Sequence, residues 1–111
     1  MLGQKVAFIG SGAMGEAMIS SLLRGKLSEP QALYASSPRR ERVDDLQKKY
    51  GIHPFTDNRE AVTGADVVVL SVKPQRLTEV LHNLKGAIQP QALVLSIVAG
   101  ATIKRGEDSL P

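Results

Sequence analysis

Residues 5–23 read KVAFIGSGAMGEAMISSLL. An apolar run, 6–9, meets Gly10, Gly12 and Gly15, and a helical pattern then begins. Glycine loses more conformational freedom on folding than any other residue, so a cluster of three needs a reason. The spacing is G-x-G-x-x-G, a weak signal alone, but here it leaves a strand and opens a helix. In that setting the three glycines have different tasks. Gly10 permits a tight turn, Gly12 lets a pyrophosphate approach the backbone, and Gly15 lets the helix pack close to the sheet. The anion would rest on the helix N-terminus, where unpaired N–H groups and the positive dipole end favour it. A tight turn that holds no ligand is the alternative.

The rest of the chain repeats the strand-to-helix alternation. Residues 13–24 form a helix with Met14, Ala17, Met18 and Leu22 on one stripe, stopped by Gly25. Residues 33–35 form a second strand. A helix over 39–50 follows, with Val43, Leu46 and Tyr50 inward and Gly51 as its stop. Residues 52–55 give a weak third strand. Asp57 caps a short helix through 63, with Glu60 three residues on. DVVVLSV, 66–72, is the clearest buried strand. Pro74 then opens a helix with Leu77, Val80, Leu81, Leu84 and Ile88 in register. ALVLSIV, 92–98, is a fifth strand. Nearly continuous apolar strands joined by helices predict a parallel sheet covered on both faces. The fold class is α/β, a Rossmann-like doubly wound parallel sheet with strand order 3-2-1-4-5 and helices on both faces. Its ligand crevice lies at the carboxyl ends of strands 1 and 4.

Composition removes several function classes. The 111 residues make one domain. There is no cysteine, hence no disulfide framework and no thiolate metal site. No apolar stretch reaches the about 20 residues that span a bilayer, and the N-terminus does not read as a signal peptide. These features suit a cytoplasmic protein with no membrane partner. The net charge of +3, two Tyr, two Phe and no Trp offer little to nucleic acid. Nothing resembles a metal-ligand cluster or a nucleophile triad.

The end of strand 2 speaks to cofactor choice. A site for NAD carries a carboxylate there to hold the ribose hydroxyls. This chain has Ser36, Ser37, Pro38, Arg39 and Arg40. Two hydroxyls and two guanidinium groups, with no acid, suit a 2′-phosphate. NADP(H) is therefore expected to bind, and NAD(H) more weakly. The alternative is a capping Ser37 beside solvated arginines, the role expected of Arg42, Lys48 and Lys49. Asn58 faces the adenosine or merely caps a turn. Lys73 follows strand 4 and lines the crevice through its backbone. Ala99 and Gly100 are small enough for a ring to lie against. Glu16 suits a first helical turn, and His53 and His82 are structural or exposed.

IGSGAMGEAM, YASSP, the TDN of 56–58, LSVKPQ and SIVAGATI, in this order, resemble pyrroline-5-carboxylate reductase over residues 5–103. The resemblance implies NAD(P)H-dependent reduction of 1-pyrroline-5-carboxylate, a cyclic imine acid, to proline. It implies cofactor contacts at Ile9, Gly10, Ser11, Gly12, Ala13 and Met14, at Ser37 and Asn58, at Ser71, Val72, Lys73 and Pro74, and at Ile97, Val98 and Ala99. The family continues into a helical domain that dimerises and completes the substrate pocket. This chain stops before it, so residues 1–111 are expected to be the NAD(P)-binding domain, with no catalytic residue and no activity alone. Another reductase of β-hydroxyacid or F420-linked type, or a stand-alone dinucleotide-binding or sensing module, is the alternative; VKPQ and ASSP argue against the former.

Overall fold

A computed structural model describes residues 4–10 and 12–97. The strands are β1 (Val6–Ile9), β2 (Leu33–Ser36), β3 (His53–Phe55), β4 (Val67–Leu70) and β5 (Leu93–Ser96). The helices are α1 (Ala13–Arg24), α2 (Arg40–Tyr50), α3 (Asn58–Val62) and α4 (Pro74–Leu84), with a 3₁₀ turn at Pro30–Ala32 before β2. All four strand pairings are parallel, and the order is β3-β2-β1-β4-β5. The expected fold class and strand order are what the structure has. The strand bounds differ from expectation by no more than two residues at any described end, and the largest difference is at the end of α4, which stops at Leu84, four residues short of Ile88.

Alternation along β1 explains why its sequence is apolar throughout. Val6 and Phe8 face α1 and α2, packing with Ile19, Leu22 and Leu46. Ala7 and Ile9 face α3 and α4, packing with Val62, Val80 and Leu84. Both sides of β1 and β4 are covered, so neither strand can carry a polar residue at alternate positions. β3 is a short edge strand containing Pro54, whose missing N–H is tolerable only at an edge. The opposite edge, β5, is less covered, and Leu93, Val94 and Leu95 are all exposed.

Helix ends follow local chemistry. Gly51 closes α2 in the left-handed region at φ +72, with its N–H on the Gln47 carbonyl. The Asp57 carboxylate accepts from the Arg59 N–H at 2.9 Å and starts α3. Arg59 then reaches across and donates to the carbonyls of Asn83 and Lys85 at 2.8 and 2.9 Å, satisfying the end of α4.

The stripe expected on α1 is corrected. Met14 is 51% exposed and Ala17 is exposed, whereas Ile19 is fully buried beside Leu22. The inward face begins at Gly15, because a helix can lie this close to β4 only where it lacks a side chain. On α4, Leu81 is exposed and Ile88 lies beyond the helix end. Ile19→Ala should therefore lower unfolding free energy by about 2–5 kcal/mol, and Met14→Ala by less than about 0.5 kcal/mol, in urea titrations. Equal losses would restore the Met14 stripe.

Candidate cofactor-binding crevice

The site begins where the strands end. Beyond each strand the ladder continues for one more residue. Ser71 N–H donates to the Ile9 carbonyl at 2.8 Å, Gly10 N–H to Ser36 at 3.2 Å, and Ser37 N–H to Phe55 at 3.1 Å. The chains then part toward helices on opposite faces. An open crevice of about 700 Å³ lies above β1, bordered by the glycine turn, the end of β2 and the start of α4. A smaller recess of about 170 Å³ adjoins it, lined by Ile9, Thr56, Asn58 and Val80 among others.

Each glycine meets a different constraint. Gly10 has φ +80, and a Cβ there would lie 2.4 Å from the Val72 Cγ1 and 2.9 Å from the Ser71 carbonyl oxygen. Only glycine fits. A Cβ on Gly15 would lie 3.2 Å from the Ser71 hydroxyl, tighter than ordinary contact, so α1 packs close to the end of β4 there. Gly12 is different. A Cβ there would find only the Gly10 carbonyl oxygen, at 3.7 Å, which is ordinary contact. Among the described residues beyond its chain neighbours, no contact requires glycine at position 12. It lies in the crevice wall at the N-terminus of the 12-residue α1, where a side chain would fill the space an anion would use.

Ser37 and Arg39 border the crevice; Arg40 is exposed but does not line it. Ser37 is not the cap of α2. That position is Arg39, whose N–H reaches the Ser37 hydroxyl at 3.3 Å. Ser36 is fully buried, and its hydroxyl donates to the Asn58 Oδ1 at 2.6 Å. It lies behind the crevice and orients Asn58, rather than facing a ligand as its expected role required. Asn58 opens α3 and lines the recess.

Beyond β4, Ser71, Val72 and Lys73 border the crevice and Pro74 starts α4. Ile9 is fully buried and lines the adjoining recess rather than the crevice. Ala13 is the first residue of α1, and Met14 is exposed one residue on. Ile97 donates its N–H to the Leu70 carbonyl at 2.8 Å. The expected contacts Ser11, Val98 and Ala99 lie outside the described residues. Among the described residues, no cluster of three or more His, Asp or Glu could hold a metal.

Six lining residues were not expected as contacts: Pro38, Arg42, Thr56, Gln75, Arg76 and Val80. Gln75 and Arg76 had a signal, since Pro74 places the first turn of α4 at the crevice. Arg42 had a weaker one: it is one turn beyond Arg39 on the same helix. Both Arg42 and Lys49 pair with Glu16; the expectation of a solvated side chain is corrected for Arg42, whereas Lys49 stays 55% exposed. Arg42 Nη2 lies 2.8 Å and Lys49 Nζ 3.1 Å from the Glu16 carboxylate, and the Tyr50 hydroxyl donates to it at 2.6 Å. The Tyr50 hydrogen bond, with those of Lys49 and Arg42, holds Glu16 down to about 2 against the opposing effect of burial.

The sequence pattern of NADP oxidoreductase, coenzyme F420-dependent, matches residues 5–100. The chain belongs to this family. Within it, the chain is 41% identical over 110 residues to pyrroline-5-carboxylate reductase of Methanosarcina acetivorans, covering 99% of this chain and 41% of that protein. It is similar in structure to the pyrroline-5-carboxylate reductase of Coxiella burnetii, with a TM-score of 0.82 and 30% identity over 95% of this chain and 39% of the other. The Plasmodium falciparum pyrroline carboxylate reductase with NADP bound matches at a TM-score of 0.74 and 25% identity, covering 96% of this chain and 37% of that one. The chain thus spans about two fifths of the length of these relatives. The family pattern carries the F420-linked name given above as an alternative, while these relatives carry the name the short motifs suggested.

The Glu16 cluster should be visible in acid. Glu16 has a lower pKa folded than its ordinary value of 4.5, so its stabilisation is complete above that value and is lost as pH falls toward about 2. Chemical unfolding across that range should show wild type losing stability faster than Glu16→Gln as pH falls, with the two converging near the lower limit. Parallel curves would mean that the cluster adds nothing.

Proposed function

We propose that this chain is the cofactor-binding part of an NADPH-dependent pyrroline-5-carboxylate reductase. The observation that carries the reading is Gly12. Among the described residues beyond its chain neighbours nothing crowds it, and it is set in the wall of a crevice at a helix N-terminus. A backbone left bare where the protein does not demand it fits a pyrophosphate. The end of β2 adds the 2′-phosphate: the Ser37 hydroxyl and the Arg39 guanidinium border the crevice, and no carboxylate follows Ser36 until Glu41. The recess by Asn58, Thr56 and Val80 takes the adenosine. The nicotinamide extends past Val72, Lys73 and Pro74 toward the end of β5.

When bound, the reduced nicotinamide supplies a hydride to the imine carbon of the cyclic imine acid, and the ring nitrogen gains a proton. The residues of this chain bind and orient the cofactor. The substrate pocket and the proton donor belong to the part of the relatives that this chain does not span, as does any homo-oligomer of the whole enzyme. No described helix is long and apolar enough to cross a membrane, and the small charged substrate suits a cytoplasmic enzyme.

Calorimetric titration of the 111-residue chain tests the reading. NADPH should bind about ten- to a hundredfold more tightly than NADH, since one or two hydrogen bonds to a charged phosphate add about 1.5–3 kcal/mol each before screening at an open rim. Ser37→Asp should reverse the order by repelling the phosphate. Gly12→Val should abolish binding of both cofactors while the unfolding midpoint stays near wild type. With NADPH and pyrroline-5-carboxylate together, the chain should show no turnover. A wild type that binds neither cofactor would end the reading.

A further inference from the structure

We propose that Arg42, held in place by Glu16, is a specificity-determining residue for the 2′-phosphate, and that Arg40 is not. The inference rests on the NADPH reading above and extends it to two residues outside the glycine and serine motifs. Arg42 lines the crevice together with Gly12, Ser37 and Arg39. Its side chain is only 20% exposed, unusual for an arginine on a short surface helix. Its Nη2 lies 2.8 Å from the Glu16 carboxylate and 3.5 Å from the Gly12 carbonyl oxygen, and its Nη1 lies 3.9 Å from the carboxylate of Asp45, so a phosphate would share the fork with these groups. These contacts carry it from α2 across to the first turn of α1, the wall on which an anion would rest.

Arg39 caps α2, Arg42 is its third residue, and both line the crevice, so both can reach an anion between α2 and the glycine turn. Arg40 is exposed and does not line the crevice. A guanidinium can serve a carboxylate along one edge and a phosphate along another, because its five N–H groups fan out in one plane. Glu16 is itself fixed from the far end of α2 by Lys49 and Tyr50. Three side chains from two helices, Glu16, Lys49 and Tyr50, therefore set where the Arg42 fork lies before any ligand arrives. A fork set in advance loses less freedom on binding than a mobile one. Glu16 is thus a positioning residue acting through Arg42.

The test is titration of NADPH and NADH into the full chain and its variants, with thermal melting without cofactor as the readout of structure. Arg42→Ala should weaken NADPH about tenfold or more and NADH less than about twofold. Arg42→Lys, a point charge without the fork, should fall between it and wild type. Arg40→Ala should change each affinity by less than about twofold, within the range of a solvated charge. Glu16→Gln should weaken NADPH severalfold and leave NADH unchanged. Raising the salt should shrink the gap between the two cofactors in wild type and barely alter it in Arg42→Ala. Equal loss of both cofactors in Arg42→Ala, alongside a lower melting temperature, makes the pair a structural tie and overturns the proposal. So does tighter NADPH binding in Glu16→Gln, which would make the carboxylate a competitor for Arg42. A wild type that prefers NADPH with an Arg42→Ala variant that keeps the preference defeats this inference alone. A wild type that binds neither cofactor defeats the parent reading as well.

Discussion

One contact fixes the geometry of this molecule: the backbone of Gly10 against Ser71 and Val72 as β1 and β4 end. The two strands are neighbours, tied by the Ser71 N–H on the Ile9 carbonyl, yet their chains must leave for helices on opposite faces of the sheet. The parting takes place within two residues. With φ +80 and a Cβ clash at 2.4 Å, any side chain at Gly10 would force the strands apart or the turn open. The crevice is the gap this parting leaves, and everything that borders it arrives by way of that turn. Gly15 repeats the constraint one turn later, by bringing α1 down onto the Ser71 side chain.

Once α1 is held that low, its first turn comes within reach of α2. Glu16 is placed where an acid already suits the dipole, and α2 supplies three partners to it from positions 42, 49 and 50. The pairing explains how a helix with two buried residues, Val43 and Leu46, keeps a defined place beside the sheet. A partly exposed ion pair is worth little in isolation, but a carboxylate shared by three donors, one of them a half-buried phenol, fixes orientation as well as energy. The same network turns one arginine of α2 toward the glycine turn.

The fold was legible because it is written in main-chain constraints. Val67–Leu70 reads as a buried strand, and the three glycines read as three separate steric tasks, each of which the structure bears out at Gly10 and Gly15 and leaves open to a ligand at Gly12. What the sequence hid lies in side-chain direction. Met14 and Ile19 both fit a helical period, and only the distance from α1 to β4 decides which one is covered. Arg40 follows Arg39 in the chain, which makes the two look like a pair, but Arg39 is the extended cap and Arg40 the first helical residue, and it is Arg42, not Arg40, that lines the crevice with Arg39. Ser36 and Ser37 are adjacent in a strand end, so one faces inward to Asn58 and the other toward the crevice. A proximity argument in sequence fails wherever the period of the element separates neighbours.

The distribution of burial also separates two functions that a whole enzyme would combine. Both core clusters are built from β1 to β4 and the four helices, with the loop around Ile88 on one side and Ile97 on the other as their outermost members. The parts that would meet the adenosine and phosphates come from the glycine turn, the end of β2 and the starts of α2 and α3, all anchored in those clusters. β5, by contrast, is joined to the sheet by its ladder with β4 but leaves three apolar side chains exposed. In the reading proposed above, cofactor grip would draw on the well-packed half of the sheet, and the nicotinamide end would lie at the thinly covered edge. An arrangement of this kind lets the tight, charge-based recognition of a phosphate be rigid. It leaves the reacting end to be enclosed by whatever packs against β5, and enclosure at that end is what hydride transfer needs to exclude water.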